Sequence, residues 1–360
     1  MNNQNRDCLC KKTSIGGQAV IEGVMMKGPL KTVLAVRNTF TKEITVEDVP
    51  SKPASQRNKF LRLPLVRGVV GFVDSLRTGY KTLMRSSELS GMLEIEEEED
   101  KEKKLEKALK KAERKAKRNG QPIPDRETVQ AQLEEKEKSK ENSKGMEVFM
   151  NILMAISGVL GVCLAVVLFM VLPTLIFNGI KGISTDALEN YRTLIEGGMK
   201  IVILIVYLLL VSQTQYIKRL FKYHGAEHKT IFCYEKGLPL TVENVRKQIR
   251  FHPRCGTSFM FLMIVVGIVF SLLVQQLFPW LTNSAAVWVI IKILMIPLFC
   301  GVGYELIKFC GRHDNLLTRI IAAPGLWMQR ITTKEPDDDM IEVAIASMNP
   351  VIPENGEDQI

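Results

Sequence analysis

The sequence predicts an α-helical membrane protein, with four transmembrane helices and a mixed α/β cytosolic domain. Three observations lead there. The first 147 of the 360 residues are polar and charged, whereas residues 148–310 contain four long apolar runs, a segregation hidden by a mean hydropathy of +0.06. Basic residues are shared unequally among the connections between those runs. Three of the four histidines, His224, His228 and His252, fall within 29 residues, and all lie in the most basic connection.

Residues 1–12 are polar, and no secretory signal is expected there. Residues 14–49 read as a small β-rich unit. An apolar run bracketed by glycines comes first, and 32–37 and 43–48 follow as alternating strands joined through 38–42. Glu22, the lone acid of the glycine-bracketed run, reads as an edge or turn acid or as a site carboxylate. From Pro64 to Ser87 apolar residues recur at helical spacing opposite Arg67, Arg77, Lys81 and Arg85. Such a helix either lies on an anionic membrane surface or packs on the β unit, completing a first region at 1–93. Residues 94–147 form a charged insert with few apolar anchors, expected to be solvated helix or disorder; its Lys-rich part, 101–118, is a candidate for RNA phosphates.

The predicted spans are 148–177, 199–217, 258–279 and 285–307, each near the ~20 residues that cross a bilayer, with Pro173 and Pro297 as tolerated interruptions. Three basic residues lie between spans one and two, nine between Lys218 and Arg254, and none at 280–284. Both termini and the loop 218–257 are therefore expected in the cytoplasm, with the protein in the cell membrane. Inside that loop, 240–249 reads as a short helix N-capped by Thr241. The tail, 308–360, has an apolar stretch at 316–332 broken by Ala323-Pro-Gly325. A helix at 336–348 with acids in its first turn follows, and the last ten residues read as unstructured. Seven scattered cysteines imply no disulfide framework and a reducing compartment.

If 223–230 is helical, His224 and His228 share a face at i and i+4, with Glu227 beside them. His-x-x-Glu-His is the inverted zincin spacing, in which imidazoles hold zinc and the carboxylate moves a proton. A bland reading, two interfacial histidines in a basic loop, fits the spacing as well. The third metal donor is His252, Cys255 or Glu305, although Glu305 is read more simply as a helical pair with Lys308. Cys255 beside Arg254 also suits a thiol nucleophile with a histidine base, or a small residue buried where a span begins. His313 reads as a surface residue.

The strings GGQAVIEGVMM (16–26), YHGAEHK (223–229), HPRCGTS (252–258) and TTKEPDDDMIEVAI (332–345) together resemble the bacterial YqhQ family, domain of unknown function 1385. The resemblance implies a bacterial inner-membrane protein of a kind predicted to be metal-dependent enzymes, and it covers nearly all of the chain except 94–144. Its metal falls on His224, Glu227 and His228, and then on His252 and Cys255. Two functions are therefore expected. One is a hydrolase using a divalent metal, zinc by preference, with His224, His228 and His252 as ligands and Glu227 and Cys255 in catalysis. The other is a non-catalytic accessory factor for membrane-protein biogenesis, bound to membrane lipids and docked through its basic face on the ribosome, its RNA or the Sec translocon.

Overall fold

The computed structural model describes residues 12–50, 58–119, 125–131, 156–181, 191–282, 284–313 and 315–358. The chain divides into one unit made of Met1–Ser90 and Phe169–Ile360 and a second, Gly91–Leu168. Four strands open the first unit: β1 (Gly16–Val20), β2 (Gly23–Lys27), β3 (Thr32–Arg37) and β4 (Ile44–Val49). They form an antiparallel meander in the order β1-β2-β3-β4. The glycine-bracketed run is a hairpin in which Val20 pairs with Gly23, so Ile21 and Glu22 alone make the turn. Glu22 takes φ 49°, a conformation unfavourable for a side chain with a Cβ. Its buried carboxylate holds the turn, accepting Arg219 Nε and Nη2 at 2.5 Å each and the Tyr223 hydroxyl at 3.2 Å. Glu22 is thus a turn acid that staples the sheet to the helix carrying the histidines.

That helix is α5 (Gln215–Glu235), and the terminal helix is α11 (Asp338–Met348). One face of the sheet buries Val24, Met26, Val33 and Ala35 against Tyr223, Ala226 and Cys233 of α5 and Met340, Ile341 and Ala344 of α11. The other face buries Val20, Met25, Leu34 and Val36, with Leu83 and Leu89 of α1 (Val66–Leu89) packed against them. A sheet covered on both faces has no use for strict alternation, which is why β2 and β3 are nearly continuous apolar runs. The short helix α6 (Val242–Arg246) starts at Thr241, whose hydroxyl accepts the Asn244 N–H as expected.

Three helices are long and apolar enough to cross a membrane: α3 (Ile156–Ile180), α4 (Arg192–Val211) and α7 (Gly256–Leu277). A fourth span exists if α8 (Ala285–Leu294) and α9 (Ile296–Arg312), bent by 44° at Met295, are taken as one. Pro297 sits in the first turn of α9, where its missing N–H costs no hydrogen bond. Before Pro173 the helix widens into a π segment, Val167–Val171, which absorbs the proline ring. The second span starts at Arg192 rather than 199, because Glu196 neutralises Arg192 within the first turns.

Three further expectations are corrected. The helix α10 (Leu316–Thr332) runs unbroken through Pro324. It is docked on α7 at Gly325, where a Cβ would lie 2.5 Å from the Ser258 side chain, so packing outweighs the one lost hydrogen bond. The described part of the last ten residues, 351–358, packs on the fold: Val351 and Asp358 are buried, and Asp358 accepts Thr13 Oγ1 at 2.5 Å and the Tyr234 hydroxyl at 2.9 Å. Glu305 pairs with Arg67 of α1, Nε to Oε1 at 2.6 Å, rather than with Lys308. In the second unit α2 (Met92–Asn119) is a helix laced by Glu106–Lys110 and Glu113–Lys117 pairs; most of the insert beyond it lies outside the described residues.

Candidate metal centre

Residues 223–230 are helical within α5, so His224 and His228 do share a face. Gly225 between them is required by packing. A Cβ there would stand 2.0 Å from the Lys334 carbonyl oxygen, since the strand of chain leaving α10 lies flat on α5 and bonds Lys334 N–H to Phe221 O at 2.8 Å. Cys255 arrives from the other direction as the N-cap of α7, its sulfur accepting the Thr257 N–H at 3.5 Å. His224, His228 and Cys255 each offer one donor atom, and the three atoms lie within 4.8 Å of one another.

Backbone carbonyls fix both rings. His224 Nδ1 donates to Thr332 O at 2.8 Å, and His228 Nδ1 donates to Arg250 O at 2.5 Å. A carbonyl only accepts, so each Nδ1 carries a proton, and Nε2 is the nitrogen of each ring that could ligate an ion once any proton on it has left. His224 Nε2 stands 3.1 Å from Cys255 Sγ, and the two imidazoles meet edge to face with centroids 4.4 Å apart. Burial opposes the thiolate, yet His224 and His228 outweigh it and hold Cys255 well below the ordinary thiol value. Burial likewise opposes the imidazolium of His224, but the Cys255 sulfur, Glu227 and the Thr332 carbonyl raise it to about 9.

Glu227 lies against β1, where Gly17 leaves room for it. A Cβ at Gly17 would come 2.9 Å from the Glu227 Cδ, and the Gly17 N–H bonds the carboxylate. Burial raises its pKa, against the pull of His228 and His224, and its Oε2 is buried with no hydrogen-bond partner. Such an orphaned oxygen beside two imidazoles and a sulfur is where a cation would offset the cost. His252 is next to the cluster, its ring centroid 5.5 Å from that of His228, but it faces Glu235 at 3.8 Å. Gln329 clamps its backbone, accepting the His252 N–H and donating to its carbonyl, both at 2.7 Å. Glu235 also takes the Arg254 guanidinium and the Thr13 N–H. Burial lowers His252 to about 4 despite Glu235.

Sequence reasoning missed Gln329 and the two carbonyls. Gln329, an uncharged amide in a mostly apolar helix, is a readable signal; a backbone carbonyl is not, because every residue carries one.

The family model described as protein of unknown function (DUF1385) matches residues 63–354. The chain belongs to this family. Every residue of the cluster falls inside the matched region, whereas Gly17 and the sheet precede it. A Bacillus subtilis (strain 168) relative, described as uncharacterized protein YqhQ, is 33% identical over 338 residues, 94% of this chain and 92% of the relative. No solved structure matches.

Proposed function

We propose that the chain is a cytoplasmic-membrane enzyme with a divalent metal, zinc by its donors, on its cytosolic face. His224, His228 and Cys255 would hold the ion, and Glu227 would move a proton in a hydrolysis. The observation that carries the reading is the engagement of both Nδ1 atoms by backbone carbonyls, which turns both Nε2 atoms toward the same sulfur. Ligating histidines are held in this way by the groups behind them. Two imidazoles and a thiolate suit zinc, and three protein donors beside a carboxylate that is not one of them is the pattern of catalytic rather than closed sites. Zinc, when bound, supplies Lewis acidity and activates water at neutral pH. The chain does the rest: the Gly17 N–H orients Glu227, the carbonyls hold the rings, and burial keeps bulk water out.

Metal analysis of the purified protein tests this, with about one zinc per chain expected and loss of it in His224→Ala and Cys255→Ser. Glu227→Gln should keep the metal and lose turnover; if it loses the ion, Glu227 is a fourth ligand and the site is closed. Metal-free protein in which Cys255 still attacks substrate would instead favour the activated thiol that the His224–Cys255 contact also resembles.

The accessory-factor reading gains from the burial of Glu227, His228 and Cys255, which suits a structural site. It loses more from the loop's charges. Of its nine cations, Arg219, Lys222, Lys229, Arg246, Lys247, Arg250 and Arg254 are paired with carboxylates of the protein itself. Co-sedimentation with ribosomes that disappears when 95–144 is deleted would restore it.

A further inference from the structure

The helix α1 is inverted for one packed on protein. Its buried positions are small, Gly68, Gly79, Thr82, Ser86 and Ser87, whereas Val73, Leu76 and Tyr80 are 55%, 59% and 59% exposed. The small face follows from what it meets. A Cβ on Gly68 would lie 3.0 Å from the Gly301 Cα of α9, and one on Gly79 would strike the Gln18 amide of β1 at 2.6 Å. Ser86 Oγ accepts the Ile21 N–H at 3.2 Å, and Phe72 packs on Phe259 of α7, centroids 5.8 Å apart. Phe72 and Leu83 find protein partners beside this small face, and Val73, Leu76 and Tyr80 point away from it.

Val69, Val73, Leu76 and Tyr80 follow one another at i, i+4, i+7 and i+11, a single row on the helix. Arg77 and Lys81 are exposed in the row beside it, which also holds the half-buried Asp74, and Phe60 and Leu63 add exposed apolar residues ahead of the helix. The start of α1 packs on α9 and Phe72 touches Phe259 of α7, and both of those helices also expose apolar residues, Met260 in α7 and Leu298 in α9. An apolar row flanked by cations is complementary to a leaflet with anionic headgroups, not to water.

We propose that α1 is an in-plane membrane helix, with Val73, Leu76 and Tyr80 among the acyl chains and Arg77 and Lys81 at lipid phosphates. The proposal rests on the membrane placement given above. Its test uses the full chain in nanodiscs of phosphatidylglycerol and phosphatidylethanolamine, with Cys8, Cys10, Cys163 and Cys310 replaced by serine. Nitroxides are placed singly by Val73→Cys, Leu76→Cys and Tyr80→Cys, with Val269→Cys in α7 and Asp48→Cys in β4 as references. Collision with oxygen should exceed collision with a water-soluble nickel chelate several-fold at 73, 76, 80 and 269, and the order should reverse at 48. Nickel preference at 73, 76 and 80 with oxygen preference at 269 overturns the in-plane helix alone. Nickel preference at 269 too removes the membrane placement itself. Shielding of 73, 76 and 80 from both reagents means that protein covers the row, which also overturns the proposal. For the charges, Arg77→Gln/Lys81→Gln should make these labels shallower in phosphatidylglycerol discs and not in phosphatidylcholine discs. Equal depths in both would remove the headgroup contact.

Discussion

Gly225 shows how one residue positions the donors on either side of it. Helix propensity favours alanine there by about 1 kcal/mol. The methyl group would stand 2.0 Å from the Lys334 carbonyl oxygen, a backbone atom that cannot swing aside. Overpacking of this kind costs about 1–3 kcal/mol or more, so the clash wins. Gly225→Ala should lower Tm in detergent and weaken metal retention, because Thr332 is two residues from Lys334 and its carbonyl holds His224. An unchanged Tm would mean that the segment after α10 is free to move. His252 gives a pH dependence. Its value falls from 6.5 to about 4 on folding, so between those limits the unfolded chain binds more protons than the folded one. The stabilisation is complete above about 6.5 and is lost as pH falls toward 4, on the order of 3 kcal/mol by the size of the shift. Thermal melts at pH 7 and pH 5 should show a smaller loss for His252→Gln than for the parent. The i, i+4 histidines and Glu227 were legible as a cluster because helical spacing alone sets them on one surface. That Cys255, of the three candidate third donors, is the one that converges was not, because its place depends on where α7 begins relative to α5.

Elements are joined by polar contacts that the periodicity of the chain conceals. Glu196 of α4 accepts Arg192 Nε at 3.0 Å, Thr174 Oγ1 of α3 at 3.2 Å and Lys292 Nζ of α8 at 2.7 Å. Both Glu196 and Lys292 are buried. Removing one partner of a buried pair costs about 3–5 kcal/mol, because the other charge is left uncompensated. Glu196→Gln should therefore destabilise the helices strongly, and Glu196→Gln/Lys292→Met should recover the share of the loss due to Lys292, Arg192 still lacking its carboxylate, in unfolding by denaturing detergent. Equal losses in the two variants would show that the ion pair is not what joins these helices. Three of the four predicted spans coincide, to within several residues where they are described, with helices long and apolar enough to cross a membrane, and the fourth with a bent helix pair, since a run of about twenty apolar residues is legible from composition alone. The continuity of α10 through Pro324 and the early start of α4 were not. In each case a neighbour supplies what the local sequence lacks: Ser258 a surface that Gly325 fits, and Glu196 a counter-charge for Arg192.

For the whole molecule, the excess of basic residues in 218–257 predicts that reporter fusions after Gly237 and after Gly356 face the cytoplasm, while one after Thr282 faces the opposite side. A fusion at 237 on the outer side would separate the His loop from the compartment assigned to it. The pattern of hydropathy and charge determined, without any structure, the division into a polar front, apolar helices and a His-bearing loop, because burial in lipid is a property of composition over about twenty residues. Spacing determined that two histidines would share a helical face. The tertiary structure alone decided that Cys255 meets them and that Thr332 and Arg250 turn their rings. It also decided that seven of the loop's nine cations are neutralised within the fold, and that α1 shows its apolar side outward. Apart from the local Lys247–Glu243 pair, these depend on contacts between residues about twenty to several hundred positions apart, and no local pattern encodes which side chain a close-packed backbone will leave room for.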